Sequence, residues 1–478
     1  MDTTLRDGEQ TSGVSFNARE KLSIARLLLE ELRVSRIEIA SARVSQGEQE
    51  AVRRIAEWAA AKGYTDRIEA LGFIDGGVSL DWLGQAGCRV VNLLAKGSLK
   101  HCREQLRRTP QEHLCDIRAT IGGAVARGMK VNVYLEDWSN GMLHSPGYVY
   151  TILDGLADAP VQRFMCPDTL GILDPYVTER FCRDMVTRYP QLRFDFHAHN
   201  DYDLAVANTA AAVKAGFHGV HVTINGLGER AGNAPLSSTV AVLHDRLHCL
   251  TGIDETKINH VSRMVETYTG IRIPGNRPIV GENVFTQCAG IHADGDNKNN
   301  LYFNELLPER FGRVREYALG KTSGKANILK NLEALGIDLD EPVPDHSTFS
   351  QLRRRKFNGA ALFEELFDEV VRKCIEHGLI DGKLLLTDST HVRANARNDV
   401  VERVVVESEP SAYLQRLNEQ AVKDGVYPKH RKEKKKIYKE LVKSPSDPDA
   451  GFMKRTGKPL GFYYLSHQTC DARHGLIT

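Results

Sequence analysis

Short apolar runs alternate with amphipathic helical stretches along the first half of the chain, and this alternation constrains the fold more than any other feature. Seven runs have the length and the β-branched content of strands: Arg36–Ala40, Arg67–Phe73, Arg89–Ala95, Lys130–Asp137, Arg163–Thr169, Arg193–Asn200 and Gly219–Gly228. Helical patterns lie between them at Ala18–Leu32, Glu48–Ala61, Pro110–Arg127, Pro175–Tyr189 and Leu204–Ala215. Repeated βα units predict a parallel sheet with helices outside it.

A closed barrel needs an eighth strand, and its place is before Arg6. Only five residues precede Arg6, so we expect a first strand that is very short or lacks its first half. A doubly wound open sheet is the alternative, but no Gly-rich dinucleotide loop follows the first strand. The sequence therefore predicts an α/β fold, a (β/α)8 TIM barrel over residues 1–253.

Two further segments follow the barrel. Residues 254–341 show helices and loops without strong strands, which predicts a helical subdomain. After residue 341 the composition changes again, with Pro342 and Pro344 followed by the run Arg353–Lys356 and a basic stretch at Pro428–Lys443. The formal net charge of the whole chain is only +1, which excludes a global attraction to nucleic acid or anionic lipid.

The nine cysteines are scattered singly, with no pair at CxxC spacing. This pattern weakens zinc-ribbon and redox interpretations and fits a reducing compartment. The sequence shows no signal peptide and no apolar run of transmembrane length. We therefore predict a soluble cytoplasmic protein without a membrane partner.

Polar side chains gather where the proposed strands end. They are Arg6, Asp7, Glu136, Asp137, Asp168, Thr169, His197, His199, Glu229, Arg230 and Asn233. In a (β/α)8 barrel the carboxyl ends of the strands form the face that carries the active site. The sequence thus predicts a functional site at this face.

His197 and His199 are two residues apart on a strand, so both imidazoles project to the same side. Together with the carboxylate of Asp7 they form a compact divalent-metal site, to which Asn233 can add an oxygen. The alternative is a pair of hydrogen-bonded histidines, and the position at a strand end favours the metal. Arg6 can stabilise negative charge on an oxygen, although an isolated Arg-Asp step is more often a surface ion pair.

Four motifs now resemble a known family. They are DTTLRDGEQ (Asp2–Gln10), HAHND (His197–Asp201), GERAGN (Gly228–Asn233) and AGIHADG (Ala289–Gly295). In this order they resemble the isopropylmalate, homocitrate and citramalate synthases, and the resemblance runs from residue 1 to about residue 340. It implies a divalent metal (Mg²⁺, Mn²⁺ or Zn²⁺) bound by Asp7, His197 and His199, with Asn233 nearby.

The resemblance also implies roles around the metal. Arg6 polarises the keto oxygen of a 2-oxo acid and Gln10 helps to orient it. Glu136 and Thr169 match positions that hold the 2-oxo acid. His292 matches a histidine that assists enolisation of acetyl-CoA.

Other positions are less clear. Ser98 and His101 fall where the family places acceptor-lining groups, although a helix cap and a surface histidine are equally good interpretations. The family carries a tyrosine shortly before the Pro-Glu of LLPE. Phe303 fills that place here, and Tyr302 precedes it.

The implied activity is a Claisen condensation of acetyl-CoA with a 2-oxo acid and release of CoA, by an acyltransferase that is commonly a homodimer. We expect 2-oxoisovalerate as the acceptor, which implies a 2-isopropylmalate synthase of leucine biosynthesis. Because Ile39–Glu48 lacks the Gly-Phe-Pro of many isopropylmalate synthases, citramalate and homocitrate synthase are alternatives. A related lyase is a further alternative, against which His292 and the segment Leu319–Lys325 argue.

The last segment has a different resemblance. Val343–Phe357, Lys383–Ala396 and Ser444–His467 resemble an insertion-sequence transposase of the DDE type, which implies a partial RNase H-like fragment over residues 342–478. Asp388 matches the first of three metal-binding carboxylates, and the other two have no match by Thr478. We therefore expect no DNA cleavage, a solvated charged helix at Pro428–Lys443 and no nucleic-acid partner, with an inactive fusion product as an alternative for the whole chain.

Overall fold

The computed structural model describes residues 1–336, 362–377, 385–394, 401–408, 437–447, 450–453 and 461–471. The chain divides into two compact units, Met1–His346 and Ser347–Thr478. Among the described residues, no helix combines the length and the apolar content that a bilayer span requires.

The first unit is built on a seven-stranded parallel sheet whose strand order follows the chain. The strands are β1 (Ile37–Ser41), β2 (Ile68–Phe73), β3 (Val90–Lys96), β4 (Lys130–Glu136), β5 (Val161–Asp168), β6 (Phe194–Ala198) and β7 (Gly219–His221). The predicted α/β barrel is confirmed. The prediction for the last strand was too long, because Asn225 adopts a left-handed conformation (φ 59°) in a short turn and ends the extended backbone.

Helices connect the strands and cover the outside of the sheet. They are α1 (Ala18–Arg26), α2 (Gln46–Lys62), α3 (Val78–Gln85), α4 (Pro110–Ala126), α5 (Trp138–His144), α6 (Pro146–Asp154), α7 (Pro175–Arg188), α8 (Ala205–Lys214) and α9 (Leu236–Leu247). Local sequence sets their ends. Asn17 and Glu20 form a capping box at the start of α1, and Gly63 at φ 73° ends α2.

The barrel is closed by a single residue. Asp2 forms parallel bridges to Ile37 in β1 on one side and to Val222, directly after β7, on the other. The Glu38 N–H donates to the Asp2 carbonyl at 2.8 Å, and the Thr3 N–H donates to the Val222 carbonyl at 2.8 Å. One bridging residue thus occupies the place of the expected first strand.

The apolar core lies between the sheet and its helices, whereas the barrel interior contains a polar floor. The Asn92 amide donates to Glu38 at 2.7 Å, and the Asn132 amide donates to Asn92 at 2.8 Å and to Glu69 at 3.2 Å. The side-chain amides of Asn92 and Asn132 both donate here, whereas Asn132 Oδ1 has no hydrogen-bond partner among the described residues. This floor connects the strands beneath the barrel mouth, the end at which the carboxyl ends of the strands lie.

After the barrel come α10 (Ile258–Thr269), β8 (Thr286–Gln287), α11 (Gly290–Asn297), β9 (Glu316–Tyr317) and α12 (Lys325–Ala334). The two short strands pair in parallel. This part was expected to consist of helices and loops without strong strands, and two-residue strands agree with that expectation.

The second unit contains α13 (Leu362–Glu376), β10 (Leu385–Arg393), β11 (Glu402–Ser408), β12 (Ile437–Lys443), β13 (Gly451–Met453) and β14 (Gly461–Asp471). Strand β14 pairs antiparallel with β10 and β13, and β11 pairs antiparallel with β12. The strand expected at Lys383–Ala396 is present as β10, with Asp388 inside it.

The prediction of a helix at Pro428–Lys443 was wrong for Ile437–Lys443, which forms a strand because it pairs with β11. Residues 428–436 lie outside the described part of the chain. The origin of this unit from a transposase stays a prediction.

Candidate metal centre

Three side chains converge at the barrel mouth. Asp7 lies in the turn after the bridging residue, and His197 and His199 lie at the end of β6. All three are buried, and their ligand atoms lie within 4.8 Å of one another. His197 Nε2 is 2.9 Å from Asp7 Oδ2. The two imidazoles therefore face the same carboxylate, as the spacing on the strand predicted.

The donor set fits a divalent cation. Asn233 reaches the cluster from the segment after β7, where its amide Nδ2 donates to Asp7 Oδ2 at 2.9 Å. Asn233 Oδ1 and the Nδ1 atoms of both histidines are buried without a hydrogen-bond partner among the described residues. Buried polar atoms without partners need an explanation, and a bound ion supplies one.

The charges of the cluster also suit a cation. Burial by itself raises the pKa of Asp7, but the Arg6 guanidinium and the hydrogen bond from His197 outweigh it and hold that pKa well below its usual range. Burial, helped by the neighbouring His197, lowers the pKa of His199 to about 3. At neutral pH the cluster therefore presents a carboxylate and a neutral imidazole, which are ligand forms.

Arg6 lies beside the cluster in a fixed orientation. Its Nε donates to Glu38 Oε2 at 2.6 Å, its Nη2 donates to the Tyr134 hydroxyl at 3.3 Å, and its Nη1 is 3.4 Å from Asp7 Oδ1. Glu38 is part of the polar floor, so the floor holds the guanidinium in place. Arg6 is a partly buried group of the site and not the surface ion pair that its isolated motif also allowed.

Tyr134 and three apolar side chains line the barrel interior next to the site. The ring centroid of Tyr134 lies 6.2 Å from that of His197, edge to face. Leu71, Met165 and Leu94 pack with Tyr134 inside the barrel. The space next to the metal ligands is therefore bounded from below by a phenol and by aliphatic groups.

Glu136 lies at the end of β4 and pairs with Lys96 at the end of β3, through Lys96 Nζ and Glu136 Oε2. The two residues are direct neighbours in the register of the strands. Lys96 is buried, and the side chain of Glu136 is 25% exposed. The buried Lys96 ammonium thus contacts the more exposed Glu136 carboxylate at the barrel mouth.

Asp137 follows β4 and contacts the loops that follow β3 and β5. It accepts a hydrogen bond from Ser98 Oγ at 2.6 Å, and His101 Nε2 is 3.4 Å from the same carboxylate oxygen. Its own N–H donates to Thr169 Oγ1 at 2.9 Å. Because Thr169 Oγ1 accepts this bond, its own proton is free to be donated to a ligand.

Gln10 and Arg230 complete the rim of the mouth. Gln10 is exposed, and its backbone N–H donates to the Asp7 carbonyl at 3.0 Å. Arg230 donates to the Thr169 carbonyl at 2.8 Å and pairs with Asp201 at 2.8 Å. Arg230 therefore ties the loops after β5, β6 and β7 together.

His292 is the predicted site residue that the structure does not bring to the metal cluster. It lies on α11, where its ring centroid is 4.3 Å from that of Tyr302. Among residues 1–336, no described hydrogen bond, ion pair or ring contact joins α11 to Asp7, His197 or His199, the three candidate metal ligands. Of the two candidates for the tyrosine position, Phe303 packs against the Arg315 guanidinium, whereas the Tyr302 ring contacts His292; which of them matches the family position stays a prediction.

Four residues of the site escaped sequence reasoning. They are Lys21, Glu38, Lys96 and Tyr134. Strand periodicity could have found Lys96 and Tyr134, which share the inward face with Leu94 and Glu136 on the same strands. Lys21 contacts Leu5 only through the tertiary fold and left no local signal.

Comparison with known proteins agrees with this architecture. Residues 1–265 match the model of the HMGL-like family, and residues 279–352 match a model described as homocitrate synthase post-HMGL domain-like.

Three curated relatives carry different names. A putative (R)-citramalate synthase CimA of Methanopyrus kandleri is 38% identical over 360 residues, 74% of this chain and 68% of the relative. A probable 2-isopropylmalate synthase of Ignicoccus hospitalis is 36% identical over 376 residues, 79% and 92% of the two chains. The homocitrate synthase AksA of Methanopyrus kandleri is 33% identical over 383 residues, 78% and 92%.

Proposed function

The chain belongs to the HMGL-like family, and from this premise we propose that it condenses acetyl-CoA with a short 2-oxo acid and releases CoA. The observation that carries the proposal is the cluster of Asp7, His197 and His199 beside Arg6 at the barrel mouth. A divalent ion bound there supplies Lewis-acid polarisation of the keto oxygen.

The other residues supply positioning and charge. The Thr169 hydroxyl, whose acceptor side is already used by Asp137, donates to the carboxylate of the 2-oxo acid. The Arg6 guanidinium stabilises the negative charge that develops on the keto oxygen. It is already oriented by Glu38, so little reorganisation is needed.

The reaction balances with a base and water. An imidazole takes a proton from the acetyl methyl group, and the methyl carbon bonds to the keto carbon while the keto oxygen takes up a proton. Water then cleaves the thioester, which releases the free thiol of CoA and makes the reaction effectively irreversible. His292 is the proposed base, with Tyr302 packed on its ring.

Because α11 makes no described contact with the metal ligands, we propose that a second copy of the chain supplies His292 to this site. The reaction then requires a homodimer. A mixed dimer is a direct test: a chain with His197→Ala and a chain with His292→Ala, each inactive alone, should regain activity when unfolded together and refolded. Sites that use one chain only would give no regain.

Among the 2-oxo acids that could accept the acetyl group, we rank pyruvate first. Tyr134, Leu71, Leu94 and Met165 fill the barrel interior beside the ligands, which favours a methyl group over a larger side chain. Each extra methylene that must be packed into a filled space costs about 1–3 kcal/mol. 2-Oxoisovalerate, the acceptor expected from the sequence, ranks second. 2-Oxoglutarate ranks last, because the cations beside this space, Arg6 and Lys96, already pair with carboxylates.

The test measures free thiol from acetyl-CoA with a divalent ion and pyruvate, 2-oxoisovalerate or 2-oxoglutarate. We expect thiol release above the acetyl-CoA blank with pyruvate. No release with any of the three acids would overturn the proposal. His197→Ala should abolish both the thiol release and the stoichiometric binding of Mn²⁺. As a control, His244→Ala, which replaces an exposed histidine, should change neither.

A further inference from the structure

We propose that Lys96 sets the charge of the acceptor pocket: its ammonium neutralises Glu136 and thereby lets an anionic 2-oxo acid bind beside that carboxylate. The inference rests on the proposed function, since it concerns how this chain tolerates the charge of the proposed acceptor. None of the four motifs that carry the family resemblance contains Lys96.

Strand geometry places Lys96 in the barrel interior. On β3, Asn92 belongs to the polar floor and Leu94 packs against the cluster that contains Tyr134. Alternate residues of a strand point to the same side, so Lys96 faces the barrel axis one layer above Leu94. Only 5% of Lys96 is exposed, and its Nζ contacts Glu136 Oε2.

The fold does not need the Lys96 side chain to hold this strand end. The Lys96 N–H donates to His113 Nε2 at 3.1 Å, and its carbonyl accepts from the Tyr148 hydroxyl at 3.1 Å. The next N–H, of Gly97, donates to the Glu136 carbonyl at 2.6 Å. Backbone contacts therefore fix the position, and the buried ammonium is left as a charge whose described partner is Glu136.

The charges at the mouth explain why a cation is useful there. The Arg6 guanidinium is already paired with Glu38 and lies 3.4 Å from Asp7, so Lys96 is the described cation that offsets the charge of Glu136. Without Lys96, Glu136 would oppose an incoming carboxylate in a poorly solvated space. Such a repulsion weakens the binding of an anion and leaves a neutral ligand unaffected.

The test is direct binding by calorimetry to the full-length protein equilibrated with Mn²⁺, with pyruvate and its uncharged methyl ester as probes. Lys96→Met should raise the Kd for pyruvate at least about tenfold and change the Kd for methyl pyruvate less than about threefold. Lys130→Met, which breaks an exposed ion pair with Asp66 at the other end of the neighbouring strand, serves as the matched control and should change neither.

A double variant separates charge from packing. Lys96→Met combined with Glu136→Gln removes both charges and so leaves the net charge of this place unchanged; it should therefore bind pyruvate within about threefold of the unsubstituted protein. It also avoids an unpaired buried carboxylate, which keeps the test open if Lys96→Met alone does not fold.

Two results overturn the inference: pyruvate binding to Lys96→Met as tight as to the unsubstituted protein, or equal losses for pyruvate and its ester. If the unsubstituted protein binds none of the three 2-oxo acids, the proposed function itself fails and the inference fails with it.

Discussion

Replacing Lys21 by Met should destabilise the barrel and loosen the segment that carries Arg6 and Asp7. Lys21 is fully buried on α1. Its Nζ is 2.7 Å from Glu9 Oε2 and 2.5 Å from Glu48 Oε1, and it donates to the Leu5 carbonyl at 3.1 Å. One ammonium thus holds both ends of the turn around the metal ligand.

The magnitude follows from the burial of the partners. Removing one member of a buried ion pair costs about 3–5 kcal/mol. The Glu9 and Glu48 side chains are 21% and 12% exposed, so solvent offsets part of this cost. Burial raises the pKa of Glu48 even with Lys21 present, so without Lys21 that carboxyl can take up a proton and limit the penalty. We therefore expect a loss of about 2–4 kcal/mol in the free energy of unfolding.

The assay uses the intrinsic fluorescence of tryptophan during urea unfolding. All three tryptophans, Trp58, Trp82 and Trp138, lie in the first unit, so the signal reports on the barrel alone. Lys62→Met, which breaks an exposed ion pair with Glu30, is the matched control and should cost less than about 1 kcal/mol.

The second readout is Mn²⁺ affinity, which should fall on the order of tenfold in Lys21→Met because Asp7 loses its fixed position. The reasoning is refuted if Lys21→Met unfolds at the urea concentration of the Lys62→Met control and binds Mn²⁺ as tightly.

Two further predictions concern the acceptor and the pH. Tyr134→Ala should raise the ratio of kcat/KM for 2-oxoisovalerate over pyruvate at least about tenfold, because it opens the floor beside the ligands; an unchanged ratio would contradict the assignment of that floor. Burial lowers the pKa of His199 and of His221 from 6.5 to about 3, so below pH 6.5 the unfolded chain binds protons that the folded protein does not. The free energy of unfolding in the absence of metal should therefore fall between pH 6.5 and pH 4.5, by on the order of 2 kcal/mol for each histidine. Burial raises the pKa of Asp2 to about 6, and this offsets part of the loss. Equal urea midpoints at pH 7 and pH 4.5 would show that the histidines do not act this way.

The barrel could be predicted from the sequence because each strand is a short apolar run that can be identified without knowledge of its neighbours. Where a strand ends and which strands it pairs with depend on the tertiary fold, as two places show. The last predicted strand ends early because Asn225 takes a left-handed conformation, which no apolar pattern reveals. The closing strand is reduced to Asp2, whose bridges to Ile37 and Val222 join residues that are far apart in the chain.

The site shows the same division. Asp7, His197 and His199 could be predicted because motif and strand spacing place them together. Lys96 could not be assigned to Glu136 without knowing that β3 and β4 are neighbours in that register. Counting along the motif could not show that the Tyr302 ring contacts His292, since that contact depends on the turn after α11.

The central claim is that a divalent ion at Asp7, His197 and His199 promotes condensation of acetyl-CoA with a 2-oxo acid. The most direct measurement is thiol release from acetyl-CoA with pyruvate by protein stripped with a chelator, before and after Mn²⁺ is restored. The stripped protein should give no release above the blank, and release should recover when one equivalent of Mn²⁺ binds. Equal release with and without the ion, or release that does not depend on the 2-oxo acid, would contradict it.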